Sequence, residues 1–145
     1  VEIVRHRFTE PAATCRELFR RVVLNVCIGN TDDHARNHAA FWDGRMLTLT
    51  PAYDLCPQLR TGTAANQSMH LTRHGERASQ LAVCRRAAHD FAISRDEAER
   101  VIDEVVTTVR DEFHDAADTA GLTAAERDQL WGSQILNDYV FWPEP

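Results

Sequence analysis

The spacing of apolar residues in this chain changes at Asn30-Thr31-Asp32-Asp33-His34-Ala35-Arg36-Asn37, where a helical pattern is followed by a hairpin pattern. Before this stretch, apolar residues recur with helical spacing from a cap at Thr9 to a stop at Gly29, which predicts an amphipathic helix. After it, Asp43-Gly44 separates two short apolar stretches, and an Asp-Gly pair in that position is typical of a β-hairpin. We therefore predict a loop between a helix and a hairpin.

The predicted hairpin matters because it reverses the direction of the chain. Its strands are expected at 38–42 and 46–50, and the second strand alternates leucine with threonine, so one face should be buried. The chain then continues as Pro51-Ala52-Tyr53-Asp54-Leu55. Since a two-stranded reversal ends near the point where it began, we expect Asp54 to lie beside Asn37.

Three oxygen-bearing side chains would meet at this point, and they suit phosphoryl transfer. That reaction needs a carboxylate to accept the proton of the attacking hydroxyl and oxygen ligands to hold Mg²⁺. Asp32 is the candidate for the first role, and Asn37 and Asp54 are the candidates for the second. Arg36 could stabilise charge on the transferred phosphate, or it could simply form a salt bridge with Asp33.

Other interpretations of the same residues remain open. Asp and Asn are common in turns, and Asp54 could be a turn carboxylate between two prolines. His34 and His38 are four positions apart beside two aspartates, which would suit a metal-dependent hydrolase if they lay on one face of a helix. We expect no such helix, because the stretch follows the glycine stop and runs into a strand.

The remainder of the chain is predicted to be helical after a polar, turn-rich segment at 58–75, which we expect to be a mobile surface segment. A weakly amphipathic stretch follows at 79–91. Two further helices are indicated by Ser94 with Glu97 and by Thr123 with Glu126, both spaced as capping boxes. The clearest apolar stripe comprises Val101, Ile102, Val105, Val106, Val109 and Phe113. We predict one mainly α-helical domain over residues 1–145.

The composition argues against several functional classes. A net charge of −6 disfavours direct nucleic-acid binding, which depends on a basic surface. No apolar run approaches the roughly 18 residues of a membrane span, and no signal peptide is evident, so a cytoplasmic protein without membrane contact is expected. Cys15, Cys27, Cys56 and Cys84 lack metal-site spacing and are expected to be reduced core thiols.

Two parts of an ordinary kinase are missing from this sequence. All sixteen basic residues are arginines, so there is no lysine to hold the α- and β-phosphates, and the six glycines are too scattered to form a phosphate-binding loop. The chain begins at Val1 without a methionine. We therefore expect a piece of a longer polypeptide.

The two quoted stretches, extended to Gly29, resemble the catalytic loop and metal-binding turn of HipA-type kinases, which are bacterial serine/threonine kinases. The pattern G-N-x-D-x-H-x-[KR]-N is matched in full by residues 29–37. The resemblance implies the helical large (C-terminal) lobe of a protein-kinase-like fold with one small β-hairpin. It also implies ATP and Mg²⁺ as cofactors, with Asp32 as catalytic base, Asn37 as a magnesium ligand and Asp54 as the metal-binding Asp.

The resemblance further implies partners for the protein. In that family a toxin phosphorylates a protein substrate, an aminoacyl-tRNA synthetase, the glutamyl enzyme in the best-known case. A DNA-binding, HipB-like antitoxin encoded beside it restrains the toxin. The missing lysine and glycine-rich loop leave a second hypothesis open, in which this lobe is a non-catalytic module that binds a protein partner.

Overall fold

The computed structural model describes residues 1–60 and 62–143 and is mainly helical, with 52% of residues in helices and one two-stranded antiparallel hairpin. This confirms the predicted mainly α architecture. None of the helices in these ranges is both long and apolar enough to span a membrane. The elements are α1 Glu2–Arg7, α2 Pro11–Ile28, β1 Ala40–Trp42, β2 Leu47–Leu49, α3 Leu81–Ala87, α4 Arg95–Thr119 and α5 Ala124–Leu130, with 3₁₀ turns at Ala35–Asn37, Ala88–Phe91 and Asp138–Phe141.

Helix α2 lies where the apolar spacing predicts it. Pro11 occupies its first turn, where a missing N–H costs nothing. Gly29 ends it in the left-handed conformation, with φ of 70°. The predicted cap at Thr9 is wrong, because Glu10 is the N-cap residue and the Thr9 N–H instead donates to the Leu47 carbonyl at 3.0 Å.

The main core forms where α2 packs against α4. Their apolar stripes face each other, and α3 and the segment around residues 135–140 close the remaining sides. Ion pairs such as Arg20 to Glu104, at 2.9 Å, lie along the exposed edge of this contact. The fully buried side chains at the centre of the core include Phe19, Val23, Val26, Val83, Val101, Ile102 and Val140.

The hairpin is present but shorter than predicted, since only three residues in each strand pair. The Asp43 carboxylate closes the turn by accepting hydrogen bonds from the N–H groups of Arg45 and Met46, each at 2.7 Å. The leucines of β2 are only half-buried. They pack with Ala40 against a second, smaller apolar cluster that includes Val4 and Phe8, which belong to a helix and a flank that the sequence analysis did not predict.

The polar segment 58–75 contains no helix or strand in its described part, and Thr61 lies outside the described residues. Its expected surface position is wrong for Gln67, Leu71 and Thr72, which are buried. Gln67 donates to the Ser79 hydroxyl at 3.0 Å. Part of this segment therefore packs into the fold as ordered loop.

The predicted helix caps form to different extents. At Thr123 the side chain accepts from the Glu126 N–H and the Glu126 carboxylate accepts from the Thr123 N–H, so the capping box is complete. At Ser94 only the first of these bonds forms, with Glu97. The cysteine prediction is confirmed for Cys15, Cys27 and Cys84, which are free and buried, and it is wrong for the exposed Cys56.

Candidate functional site

The candidate loop starts directly at the end of α2. Asn30 is almost fully buried, and its Nδ2 donates to Asn25 Oδ1 at 3.0 Å and to the Asp54 carbonyl at 3.2 Å. A buried amide needs such partners, because an unpaired polar group in the core is costly. Asn30 therefore ties the end of α2 to the turn that contains Asp54.

Two more hydrogen bonds join the loop to the turn after the hairpin. The Tyr53 hydroxyl donates to the Arg36 carbonyl at 2.6 Å, and the Gln58 N–H donates to the Gly29 carbonyl at 3.0 Å. The hairpin thus returns the chain to the loop it left. Asp54 itself has a φ of 58°, a left-handed conformation that is uncommon outside glycine and that Asp tolerates better than most residues.

The four predicted site residues differ in exposure. Asp32, Arg36 and Asp54 are exposed, whereas Asn37 is buried, at 7% exposure, in the 3₁₀ turn. Within residues 1–60 and 62–143, none of these four side chains makes a hydrogen bond or an ion pair to the protein. The alternative salt bridge between Arg36 and Asp33 does not form.

Asp33 is instead bonded to a histidine. Nε2 of His38 lies 3.0 Å from Oδ1 and 3.2 Å from Oδ2 of Asp33, and the two side chains are 19% and 7% exposed. Of the two adjacent aspartates, Asp33 is therefore engaged inside the loop. Asp32 is the one whose carboxylate faces solvent.

The donor set fits magnesium better than zinc. Within the described ranges, no group of three or more His, Cys, Asp or Glu side chains is placed to hold a metal ion, so His34 and His38 lack the further ligands that a zinc site requires. Mg²⁺ needs less from the protein, because it commonly binds through one or two carboxylates together with water and substrate phosphates. The Asp54 carboxylate and the Asn37 amide are the candidate oxygen ligands in the loop and the turn.

A loop outside the predicted site also contacts it. The Ser68 N–H donates to the Thr31 carbonyl at 2.8 Å, so the segment after residue 61 supports the loop from another side. The sequence analysis did not predict this contact, nor the roles of Asn30 and Tyr53. Only the position of Asn30 directly after the glycine stop could have suggested a structural role.

Comparison with protein families identifies one match. The family model described as the HipA-like C-terminal domain matches residues 1–113. The match covers the helix before the loop, the loop itself, the hairpin and most of α4. Comparison with curated proteins and with solved structures gave no match.

Proposed function

Because the chain belongs to the HipA-like C-terminal domain family, we propose that it is the catalytic large lobe of a HipA-like serine/threonine protein kinase. The observation that carries this proposal is the pair of bonds from Asn30 to the Asp54 carbonyl and from Tyr53 to the Arg36 carbonyl. These bonds hold the predicted catalytic loop against the predicted metal-binding turn. Phosphoryl transfer depends mainly on such positioning of charged groups.

In this proposal Asp32 accepts the proton of the substrate hydroxyl. Its carboxylate is exposed and has no partner among the described residues, so it is available to a serine or threonine hydroxyl of another protein. Arg36 is exposed four positions later, and its guanidinium would stabilise negative charge on the transferred phosphoryl group. Both residues belong to the segment that the Tyr53 hydroxyl holds in place.

Asn37 and Asp54 would hold Mg²⁺. When bound, the ion would neutralise charge on the phosphates of ATP. Asn37 is fixed in a 3₁₀ turn and is largely buried, so its amide should move little. Asp54 sits in a left-handed turn whose carbonyl is bonded to Asn30, which limits the directions that its carboxylate can take.

The proposal requires a small lobe that these 145 residues lack. They contain neither a lysine nor a cluster of glycines to hold the ATP phosphates. The complete protein would supply those groups, act as a toxin on a protein substrate such as an aminoacyl-tRNA synthetase, and be restrained by a HipB-like antitoxin. Because the protein substrate and the antitoxin of that family are cytoplasmic, we propose that this protein is cytoplasmic as well.

A phosphorylation assay on the complete protein with ATP and Mg²⁺ tests the proposal. Asp32→Asn keeps the shape of the side chain and removes the base, so kcat should fall by about 10²- to 10⁴-fold. Asp103→Asn, on the exposed face of α4, is the matched control and should keep full activity. Undiminished phosphorylation by Asp32→Asn would reject the role given to Asp32. Absence of phosphorylation by the unmodified complete protein would reject the proposed function and favour a non-catalytic, partner-binding lobe.

A further inference from the structure

One hydrogen-bonded pair closes the candidate loop on itself. His38 Nε2 contacts both carboxylate oxygens of Asp33, five residues earlier, at 3.0 and 3.2 Å. Between these two residues, the Asn37 N–H donates to the His34 carbonyl at 2.8 Å and forms the 3₁₀ turn. The closed loop is thus held by one side-chain contact and by the turn within it.

The two residues of this contact are direct neighbours of two proposed site residues. Asp33 follows Asp32 in the chain, and His38 follows Asn37. Fixing Asp33 and His38 therefore fixes the backbone beside both functional side chains. The burial of Asp33 next to the exposed Asp32 fits this arrangement, because one carboxylate is turned inward while its neighbour faces solvent.

We propose that the Asp33–His38 contact is a clamp that positions Asp32 and Asn37 for the phosphoryl transfer proposed above, on which this inference rests. Asp33 and His38 are then positioning residues. Both side chains are largely shielded from water. In such an environment a hydrogen bond to a carboxylate is stronger than at the surface.

Loss of the clamp should not unfold the protein. The loop remains tied to the rest of the fold through Asn30, Tyr53 and the Thr31 carbonyl, which contact other parts of the chain. Asp33 and His38 lie in the loop that follows α2, and neither belongs to α2 or α4. Variants at these two positions can therefore be compared as folded proteins.

The kinetic test uses the complete protein with three substitutions. His38→Ala and Asp33→Ala remove the contact, and since small misplacements of reacting groups are costly, kcat should fall by about 10-fold or more while the KM for ATP changes by less than about 3-fold. Asp33→Asn keeps an oxygen that can accept from Nε2 of His38, so its kcat should stay within about 3-fold of the original. A kcat for Asp33→Asn as low as that of Asp33→Ala would overturn the clamp.

A second measurement does not depend on activity. Amide hydrogen exchange at Asn37 and His38, whose N–H groups are bonded within the loop, should accelerate by about 10-fold in both alanine variants. Glu99→Gln, which alters the exposed Arg85–Glu99 pair, is the control and should leave exchange in the loop unchanged. Unchanged exchange in His38→Ala would reject the clamp. Absence of phosphorylation by the unmodified protein would instead reject the proposed function.

Discussion

The helical core and the candidate loop are held together in different ways. Between α2 and α4, stability comes from apolar side chains such as Phe19 and Val101, both at 0% exposure. The loop after α2 is instead fixed by a few directional hydrogen bonds, those of Asn30, Tyr53 and His38. Apolar burial contributes free energy without fixing exact directions, whereas hydrogen bonds fix directions and contribute modest free energy.

This difference means that stability and positioning should respond to different substitutions. Changes in the core should lower the free energy of unfolding, and changes in the loop should mainly alter geometry at Asp32 and Asn37. Gly29 is the residue where the two regions meet, because it ends α2 and precedes Asn30. Substitutions at these three kinds of position test the comparison.

The largest effect is expected in the core. Phe19→Ala removes a fully buried ring that also makes an edge contact with Phe91, with ring centroids 5.6 Å apart. The lost burial and the remaining cavity should lower the free energy of unfolding by about 3–5 kcal/mol, measured by urea denaturation.

Phe41→Ala is the matched control for this substitution. Phe41 lies on β1 of the hairpin with 64% of its surface exposed, so its loss should change the free energy of unfolding by less than about 1 kcal/mol. Equal losses for the two phenylalanines would show that the α2–α4 contact is not the main core.

A somewhat smaller effect is expected where the core meets the loop. A Cβ at Gly29 would lie 2.6 Å from the Gln134 carbonyl oxygen, and φ there is +70°. The left-handed strain and the clash together should lower the free energy of unfolding by about 2–4 kcal/mol in Gly29→Ala. Thermal and urea unfolding followed by circular dichroism would measure the loss.

The substitution Gly121→Ala distinguishes the effect of backbone strain from that of the steric clash at Gly29. Gly121 has the same φ of +70°, but a Cβ there would have no neighbour within 4 Å. Gly121→Ala should therefore show only the backbone strain, a loss of about 1–2 kcal/mol. If Gly29→Ala were no worse than Gly121→Ala, the close packing of the α2 terminus against residue 134 would be wrong.

The parts of the fold that depend on local sequence could be predicted from it. The apolar spacing of α2, the stop at Gly29 and the Asp43-Gly44 turn each act through neighbours in the chain, and each appears where it was expected. The burial of Gln67 and Leu71 was missed because it depends on contacts between distant segments. The same holds for the exposure of Cys56, since apolar character alone does not say which residues the core covers.

In the candidate site, too, features with a local sequence signal could be predicted and contacts between distant segments could not. Asp32, Asn37 and Asp54 could be proposed from residue types and order, because the hairpin between them has a local signature. The supporting bonds of Asn30 and Tyr53 could not, since both have backbone carbonyls as acceptors and any residue supplies a carbonyl. The sequence analysis offered Arg36 as a possible salt-bridge partner of Asp33, whereas in the structure Asp33 is bonded to His38.

The smallest effect is expected on acidification, at Glu76 in the segment that precedes α3, which like the candidate loop is held by hydrogen bonds. The Glu76 carboxylate accepts from Arg86 Nε at 2.9 Å and from Thr72 Oγ1 at 3.1 Å. The hydrogen bond from Arg86, followed by that from Thr72, lowers the pKa of Glu76 below its ordinary value of 4.5. Because the unfolded chain binds this proton at higher pH than the folded one, the contribution is complete above pH 4.5 and is lost as the pH falls through the folded-state pKa.

Urea denaturation between pH 7 and pH 3 would measure this contribution. Glu76 is about one third exposed, and solvent screening should limit its contribution at pH 7 to less than about 1 kcal/mol. Glu76→Gln should be less stable than the original protein by that amount at pH 7, and the deficit should shrink as the pH falls below 4.5. The control is Glu112→Gln, at an exposed position on α4. This variant should have the same free energy of unfolding as the original protein at each pH. A deficit of Glu76→Gln that did not shrink as the pH fell from 7 to 3 would show that Glu76 acts through packing and not through its charge, and the segment before α3 would then resemble the core more closely than its hydrogen bonds indicate.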